Sequence, residues 1–288
     1  MAEKVFDIAI VGGGPAGLSA ALTGRIRNKT VAIFEPYGFS AKVQQAHLID
    51  NYPGLPGISG KEMIERMAAH CLEHEPVVIK EKVVNIFPGD PFTLLTPGDT
   101  YEAKTIILTT GVATTALLTG EKEYIGRGVA YCATCDGRMY TGKDVAVVSY
   151  TAAEEHEVKF LGEICRNVFY LPQYKGDFSH LGDKVRIIGG KPRAVLGAEQ
   201  VTALATDKEE LKVDGIFIMR QSDPLENLLP DLVLENNAIR VNRDLSTNIP
   251  GVFAAGDCTG RPWQVAKAVG EGLTAVLSAV AYVDALKK

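Results

Sequence analysis

Apolar residues near the start of the chain fall in short unbroken runs set off by glycine. Phe6 to Val11 is such a run. Gly12, Gly13, Gly14, Pro15, Ala16 and Gly17 follow at once, and then helical spacing to about Arg27. Thr30 to Phe34 repeats the strand pattern, with Glu35 at its end. Val5 to Glu35 therefore predicts one βαβ unit, with parallel strands and a right-handed crossover. A Pro- and Gly-rich loop over Asn51 to Gly60 leads into Lys61 to Glu75, where Met63, Ile64, Met67, Ala68 and Cys71 recur at helical spacing. Val77 to Asn85, Phe92 to Thr96 and Thr105 to Thr110 read as strands separated by turns, a hairpin that returns to the first sheet.

The theme restarts in the middle of the chain. Asp144 to Ser149 is a second apolar strand, and Ala152 to Ile164 has the helix pattern. Asn167 to Leu171, Val185 to Ile188, Gly197 to Ala205 and Val213 to Met219 add strands of their own. Val252 to Ala255, then Gly256-Asp257, then a long helix over Gln264 to Leu286, resemble neither a linker nor a tail. The expected fold is α/β: two Rossmann-like three-layer domains, the second inserted into the first. Residues 1–116 and 243–288 form one and residues 117–242 the other.

Composition narrows the class of protein. A chain of 288 residues is long enough for two domains, and 46% hydrophobic with 23% charged residues excludes a disordered or fibrous protein. The formal charge is −5 and no Lys/Arg stripe interleaved with aromatics occurs, so nucleic acid is not an expected partner. The apolar stretch Leu273 to Leu286 is broken by Thr274, Ser278 and Asp284, so no membrane partner is expected. Charged residues from Met1 to Asp7 run straight into a strand, and the expected location is the cytoplasm. Of five cysteines, only Cys132 and Cys135 are close in sequence. Cys71 and Cys165 fall on helical apolar faces as core residues, and Cys258 beside Asp257 stays open.

Two motifs carry chemistry. Gly12-x-Gly14-x-x-Gly17 lies between a strand and a helix, with Glu35 placed 23 residues after Gly12. Small residues there let the backbone approach a pyrophosphate at a helix N-terminus, and the acid binds ribose hydroxyls. An acid with no Arg after it predicts a free 2′-hydroxyl, as in FAD or NAD rather than NADP. The second motif is Cys132-Ala133-Thr134-Cys135-Asp136. Thiols at this spacing can close a redox disulfide, and Asp136 is the adjacent proton donor. Half a zinc site and two buried thiols are the alternatives. Zinc needs four ligands, and with no second CxxC no metal is expected.

Joined by Asn51-Tyr52-Pro53-Gly54, Gly126-Arg127-Gly128-Val129, Gly137 after the Cys motif, and Val252-Phe253-Ala254-Ala255-Gly256-Asp257, the chain resembles the low-molecular-weight thioredoxin reductases over nearly its whole length. The resemblance implies a homodimer with FAD held by the N- and C-terminal segments. Its cofactor contacts would be Gly12, Gly14, Pro15, Ala16, Gly17, Glu35, Asn51, Thr110, Gly111, Asp257, Gln264 and Val265. It also implies that Cys135 faces the flavin, Cys132 exchanges with thioredoxin or a similar protein, and Asp136 moves a proton. Trp263, the only Trp, precedes Gln264 and is read either as a flavin or dimer contact or as a core residue.

Two departures from that family bear on the electron donor. NADPH-using relatives open the second domain with a second GxGxxA/G turn and then a basic stretch for the 2′-phosphate. Here Ser149-Tyr150-Thr151-Ala152-Ala153 follows the strand, and Tyr150 brings bulk where a pyrophosphate would approach. Tyr170-Leu171-Pro172-Gln173-Tyr174-Lys175 stands in place of the basic cluster. The chain thus resembles most the branch that takes electrons from ferredoxin, with no NADPH expected. Two alternatives of the same chemistry stay open: a diflavin disulfide oxidoreductase with a second FAD near the vacated nucleotide site, and an NAD(P)H-dependent reductase with an atypical site. From another class, a flavoprotein that binds or senses without turnover, or a metal module at the CxxC, would be told apart by zinc content and thiol count.

Overall fold

The structure is a computed structural model that describes residues 5–112, 117–220 and 225–286. The chain divides into two units, Met1–Val112 with Pro224–Lys288, and Ala113–Asp223. In the first, β1 (Phe6–Val11) runs parallel to β2 (Val31–Phe34), with α1 (Pro15–Ile26) as the crossover. The short α2 (Ala41–Gln44) and α3 (Gly60–Leu72) precede β3 (Val77–Ile79), which joins β2 in parallel. Ser59 caps α3 by accepting from the Glu62 N–H. β4 (Asn85–Phe87), β5 (Phe92–Leu95) and β6 (Thr100–Leu108) form an antiparallel meander, and β6 lies parallel to β1. The order is β3-β2-β1-β6-β5-β4. The strand expected over Val77 to Asn85 is therefore two strands at opposite edges of the sheet, and Val83 between them is buried in the core rather than laddered.

The second unit is again built on parallel strands. Its elements are β7 (Val129–Ala130), α4 (Ala133–Asp136), β8 (Asp144–Ser149), α5 (Glu155–Ile164), β9 (Asn167–Pro172) and β10 (Val185–Ile187). β11 (Pro192–Gly197), β12 (Val201–Thr206), β13 (Glu210–Lys212) and β14 (Gly215–Met219) complete it. The parallel sheet is ordered β10-β9-β8-β14-β7, and β11 to β13 make a separate antiparallel sheet. Alternation along β8 explains the layers. Val145 and Val147 face a cluster with Ala133, Val158 and Leu161 from the helices, and Ala146 and Val148 face Val195, Val201 and Leu204 of the small sheet. The strand expected over Gly197 to Ala205 is a hairpin instead: Gly197 pairs with Val201, and the Ala198 N–H donates to the Gln200 carbonyl at 3.2 Å.

The chain then returns to the first unit through α6 (Leu225–Leu228), β15 (Leu234–Glu235), β16 (Ala238–Ile239), β17 (Val252–Ala254) and α7 (Val265–Ala285). The return comes at residue 224, earlier than the expected 243, because Leu228, Leu229, Leu232 and Ile239 are buried with Phe6, Ile86 and Leu94 of the first sheet. The other expected boundary, 116/117, borders residues 113–116, which lie outside the described residues. β6 serves two neighbours on one edge, β5 along its first half and β17 along its second.

α7 is long and apolar enough, by length and composition, to cross a membrane. Its buried stripe, including Ala268, Gly272, Ala275, Val276 and Ala279, instead packs with Leu18, Ala20 and Ala21 of α1. Contact this close requires small residues: a Cβ on Gly272 would lie 2.2 Å from the Ala16 carbonyl oxygen. Gly272→Ala is expected to destabilise the protein by about 1–3 kcal/mol, read as a lower urea midpoint at unchanged slope; an unchanged midpoint would mean that the helices separate freely here.

Candidate functional site

In the first unit the sequence-predicted residues gather at the C-terminal ends of the parallel strands, where open α/β sheets bind ligands. Gly12 leaves β1 at φ +110°, and a Cβ there would sit 2.4 Å from the Thr109 carbonyl oxygen. Gly17, one turn into α1, leaves no room either, since its Cβ would meet the Gly12 carbonyl oxygen at 2.0 Å. Gly14 precedes α1 in extended backbone, Pro15 occupies the first turn, and no side chain caps the helix. Glu35, at the end of β2, accepts from the Gly13 N–H at 2.7 Å and the Tyr37 N–H at 3.1 Å. Burial pushes its carboxyl up, against the pull of those two donors.

The other end of the chain meets the same edge. Ala16 and Gly256 approach closely, and Gly256 opens the turn that carries Asp257. Asn51 Nδ2 donates to Gln264 Oε1 at 2.8 Å, and Val265 begins α7 directly after it. Asp257 accepts from Lys42 at 3.3 Å. Thr110 Oγ1 is buried with no hydrogen-bond partner of good geometry, next to Gly111 at φ +72°. The neighbouring Cys258 thiol is engaged with the Leu108 and Ala255 carbonyls. Trp263 is 45% exposed with Arg261 and Lys42 over its ring, at 4.5 and 5.5 Å, so the core reading of this residue does not hold. The residues present fit an FAD: an uncapped helix N-terminus behind a glycine turn, an acid for the ribose, and an orphaned buried hydroxyl.

The second unit holds the thiols. Cys132 and Cys135 form a disulfide with Cα atoms 5.4 Å apart, and the Cys135 N–H points back at Cys132 Sγ, 3.1 Å away. Cys132 is buried and Cys135 exposed. Asp136, half-buried beside them, has its carboxyl pushed up by burial and then by the charge of Glu157. That Glu157 carboxylate accepts from the Ala133 N–H, from the Thr134 N–H at 3.2 Å and from Thr134 Oγ1 at 2.9 Å.

Three groups at these sites escape a linear reading. Glu157 is one, since nothing in its helical position points to the Cys turn. A second is Arg220, paired bidentately with Glu121 at 2.6 and 2.8 Å although both are buried; Tyr131 OH also donates to Glu121, and the Tyr150 ring lies 5.4 Å from the guanidinium. The third is Lys267, which donates to the Gly256 and Gly260 carbonyls and pairs with Glu271 at 3.1 Å, fixing the turn around Asp257. Its i,i+4 spacing to Glu271 is the one signal the linear sequence offers for it.

A dinucleotide cradle on one unit and a CxxC disulfide on the other define a disulfide oxidoreductase. The chain belongs to the pyridine nucleotide-disulphide oxidoreductase family, whose profile matches residues 6–156 and 179–272. It is a flavin-dependent enzyme of the thioredoxin reductase type. It is 30% identical over 297 residues to a thioredoxin reductase of Mycoplasma genitalium, covering 96% of this chain and 94% of that one. Among solved structures it is similar to a ferredoxin-flavin thioredoxin reductase from Clostridium acetobutylicum (TM-score 0.92, 42% identity, 99% of each chain). A thioredoxin reductase from Gloeobacter violaceus follows at TM-score 0.83 and 27% identity, over 98% of this chain and 95% of that one.

The three remaining cysteines are buried, and burial pushes Cys71 and Cys165 up to about 11 and Cys258 up to about 12. After mild reduction of the folded protein, iodoacetamide at about pH 8 is therefore expected to label the exposed Cys135 and to spare Cys71, Cys165 and Cys258, as read by peptide mass. Labelling of Cys258 would show that its burial is not that of the folded state.

Proposed function

We propose that this chain is a thioredoxin reductase that draws its electrons from ferredoxin rather than NADPH. The observation that carries the reading is how the second unit fills the end of β8. Where a phosphate cradle needs open backbone, Ser149 Oγ donates to the Thr151 carbonyl at 2.8 Å and Tyr150 packs on the buried Arg220–Glu121 pair. Beyond β9, where a 2′-phosphate needs cations, Tyr174 OH donates to Glu155 at 2.6 Å, and His180 sits 2.9 Å from the same carboxylate. A carboxylate there repels phosphate. The likeness to the ferredoxin-flavin enzyme at 42% identity supports the same donor.

FAD, when bound, accepts electrons singly and delivers them in pairs, which suits a one-electron donor and a two-electron disulfide. The chain's own residues do the rest. The Gly12–Gly17 turn and Glu35 would hold the adenosine and pyrophosphate, and Asn51, Thr110, Asp257 and Gln264 the remainder. Once Cys132–Cys135 is reduced, the Cys132 thiolate attacks one sulfur of the target disulfide, making a mixed disulfide and releasing one target thiolate. Asp136 protonates that leaving group. The Cys135 thiolate then attacks Cys132 Sγ, which restores the disulfide and frees the second target thiol. Because Cys132 is the buried member of the pair, it must be uncovered before exchange.

Burial and the charge of Glu157 push the Asp136 carboxyl up, so its acid form persists to higher pH than an ordinary aspartate's and is lost as pH rises through that raised value. Asp136→Asn is expected to slow target reduction about a hundredfold and to remove that alkaline limb, with flavin content unchanged; an unaltered pH profile would take Asp136 out of the mechanism. The donor is tested by anaerobic titration of the yellow protein. Silence with NADPH and NADH, followed by thioredoxin reduction with reduced ferredoxin, is expected, with one FAD per chain. Bleaching by micromolar NADPH, roughly an ordinary enzyme affinity, would overturn the reading, and two flavins per chain would favour the diflavin alternative.

A further inference from the structure

Glu157 stands outside the thiol exchange just described, yet its carboxylate is buried against the Cys turn. On α5, it takes the N–H groups of Ala133 and Thr134 and the hydroxyl of Thr134, all between the two cysteines. In a CxxC turn, the backbone N–H groups that follow the first cysteine at the helix start are the donors that steady its thiolate. With two of them taken, the Cys135 N–H alone points at Cys132 Sγ. A fixed negative charge has been added in exchange.

We propose that Glu157 is a positioning residue that sets the poise of the redox pair: it clamps the Cys132–Thr134 backbone and denies stabilisation to the Cys132 thiolate, which keeps the reduced pair strongly reducing. In balanced terms, the Cys132–Cys135 disulfide takes up two electrons and two protons to become the dithiol. Any environment that disfavours thiolate draws that equilibrium toward the disulfide and strengthens the pair as a reductant of its target. The proposal rests on the thiol chemistry of the preceding reading and not on its donor.

The groups facing this region are few. Glu154 and His156 lie with Glu157 in one cluster, ligand atoms within 4.8 Å of one another, and His156 Nδ1 approaches the Ala153 carbonyl at 3.1 Å. Asp136 feels Glu157, and Tyr140, on the turn after α4, faces Asp136, Asp214 and the Lys143 ammonium. Of these, Glu157 is bonded to the backbone between the cysteines.

The test uses the full flavin-loaded protein equilibrated with dithiothreitol redox buffers, quenched in acid, and counted by mass for the reduced pair. Dithiothreitol replaces ferredoxin, so failure of the donor assignment leaves the outcome untouched. Glu157→Gln keeps the shape and an acceptor oxygen but removes the charge. In buffer well above about pH 8.5, the ordinary cysteine value, it is expected to become half-reduced at an up to about tenfold lower ratio of reduced to oxidised dithiothreitol, the effect of about one pKa unit of thiolate stabilisation where thiolate dominates. Glu157→Asp, which keeps the charge, is expected to stay near wild type. Flavin content and the thermal midpoint show that each variant is folded. A folded Glu157→Gln with the wild-type ratio would overturn the proposal and leave Glu157 as a structural cap, as would a Glu157→Asp that shifts as far as the Gln variant.

Discussion

Everything in the first unit depends on how closely α1 lies between β1 and α7. Gly17 rests on the Gly12 carbonyl and Gly272 on the Ala16 carbonyl, at separations that no Cβ tolerates. This double contact draws the first helix against the last, although more than two hundred residues of chain run between them. It also explains why a dinucleotide site needs both ends of the sequence. The glycine turn and Glu35 come from the start, while Gln264 and the turn bearing Asp257 arrive with α7. Lys267 then pins that turn from within the helix, so the helix position fixes the loop position.

The second unit repeats the parallel architecture and carries a buried ion pair beside the end of β8: Arg220 and Glu121 pair deep in the unit, 99 residues apart, with Tyr131 and Tyr150 supplying further contacts. Desolvating two such charges is expensive, and removing one partner of a buried pair typically costs about 3–5 kcal/mol. A pair of this kind therefore resists being opened, and the Tyr150 ring packs on it where the sequence lacks a glycine motif.

What was legible in the sequence was what is local. The Gly12–Gly17 turn, Glu35 at a strand end, and the Cys132–Cys135 spacing each state their geometry within a few residues, and the structure places them where those patterns point. Leu228, Leu229, Leu232 and Ile239 show only that a core lies nearby, not which of two cores they enter, so the inner domain boundary could not be read from hydrophobicity. Val77 to Asn85 alternates well enough for one strand, but the chain must leave one edge of the sheet to begin a meander at the other. Periodicity records burial and is blind to such a crossing.

The same distinction governs the chemistry. A cysteine pair advertises disulfide exchange by its spacing, but its strength as a reductant lies in groups contributed from elsewhere in the fold. Asp136 is adjacent in sequence, yet its carboxyl is pushed up by burial and by the charge of Glu157, a residue of the next helix. Thr134 and the Ala133 backbone tie that carboxylate to the turn, so the charge cannot relax away from the thiols as they change state. A charge held rigidly in a half-buried setting is screened less than a mobile one at the surface. The helix that follows β8 thus meets two features of this chain: its start follows the Ser149–Thr151 turn, and its first turn holds the carboxylate bonded between the cysteines.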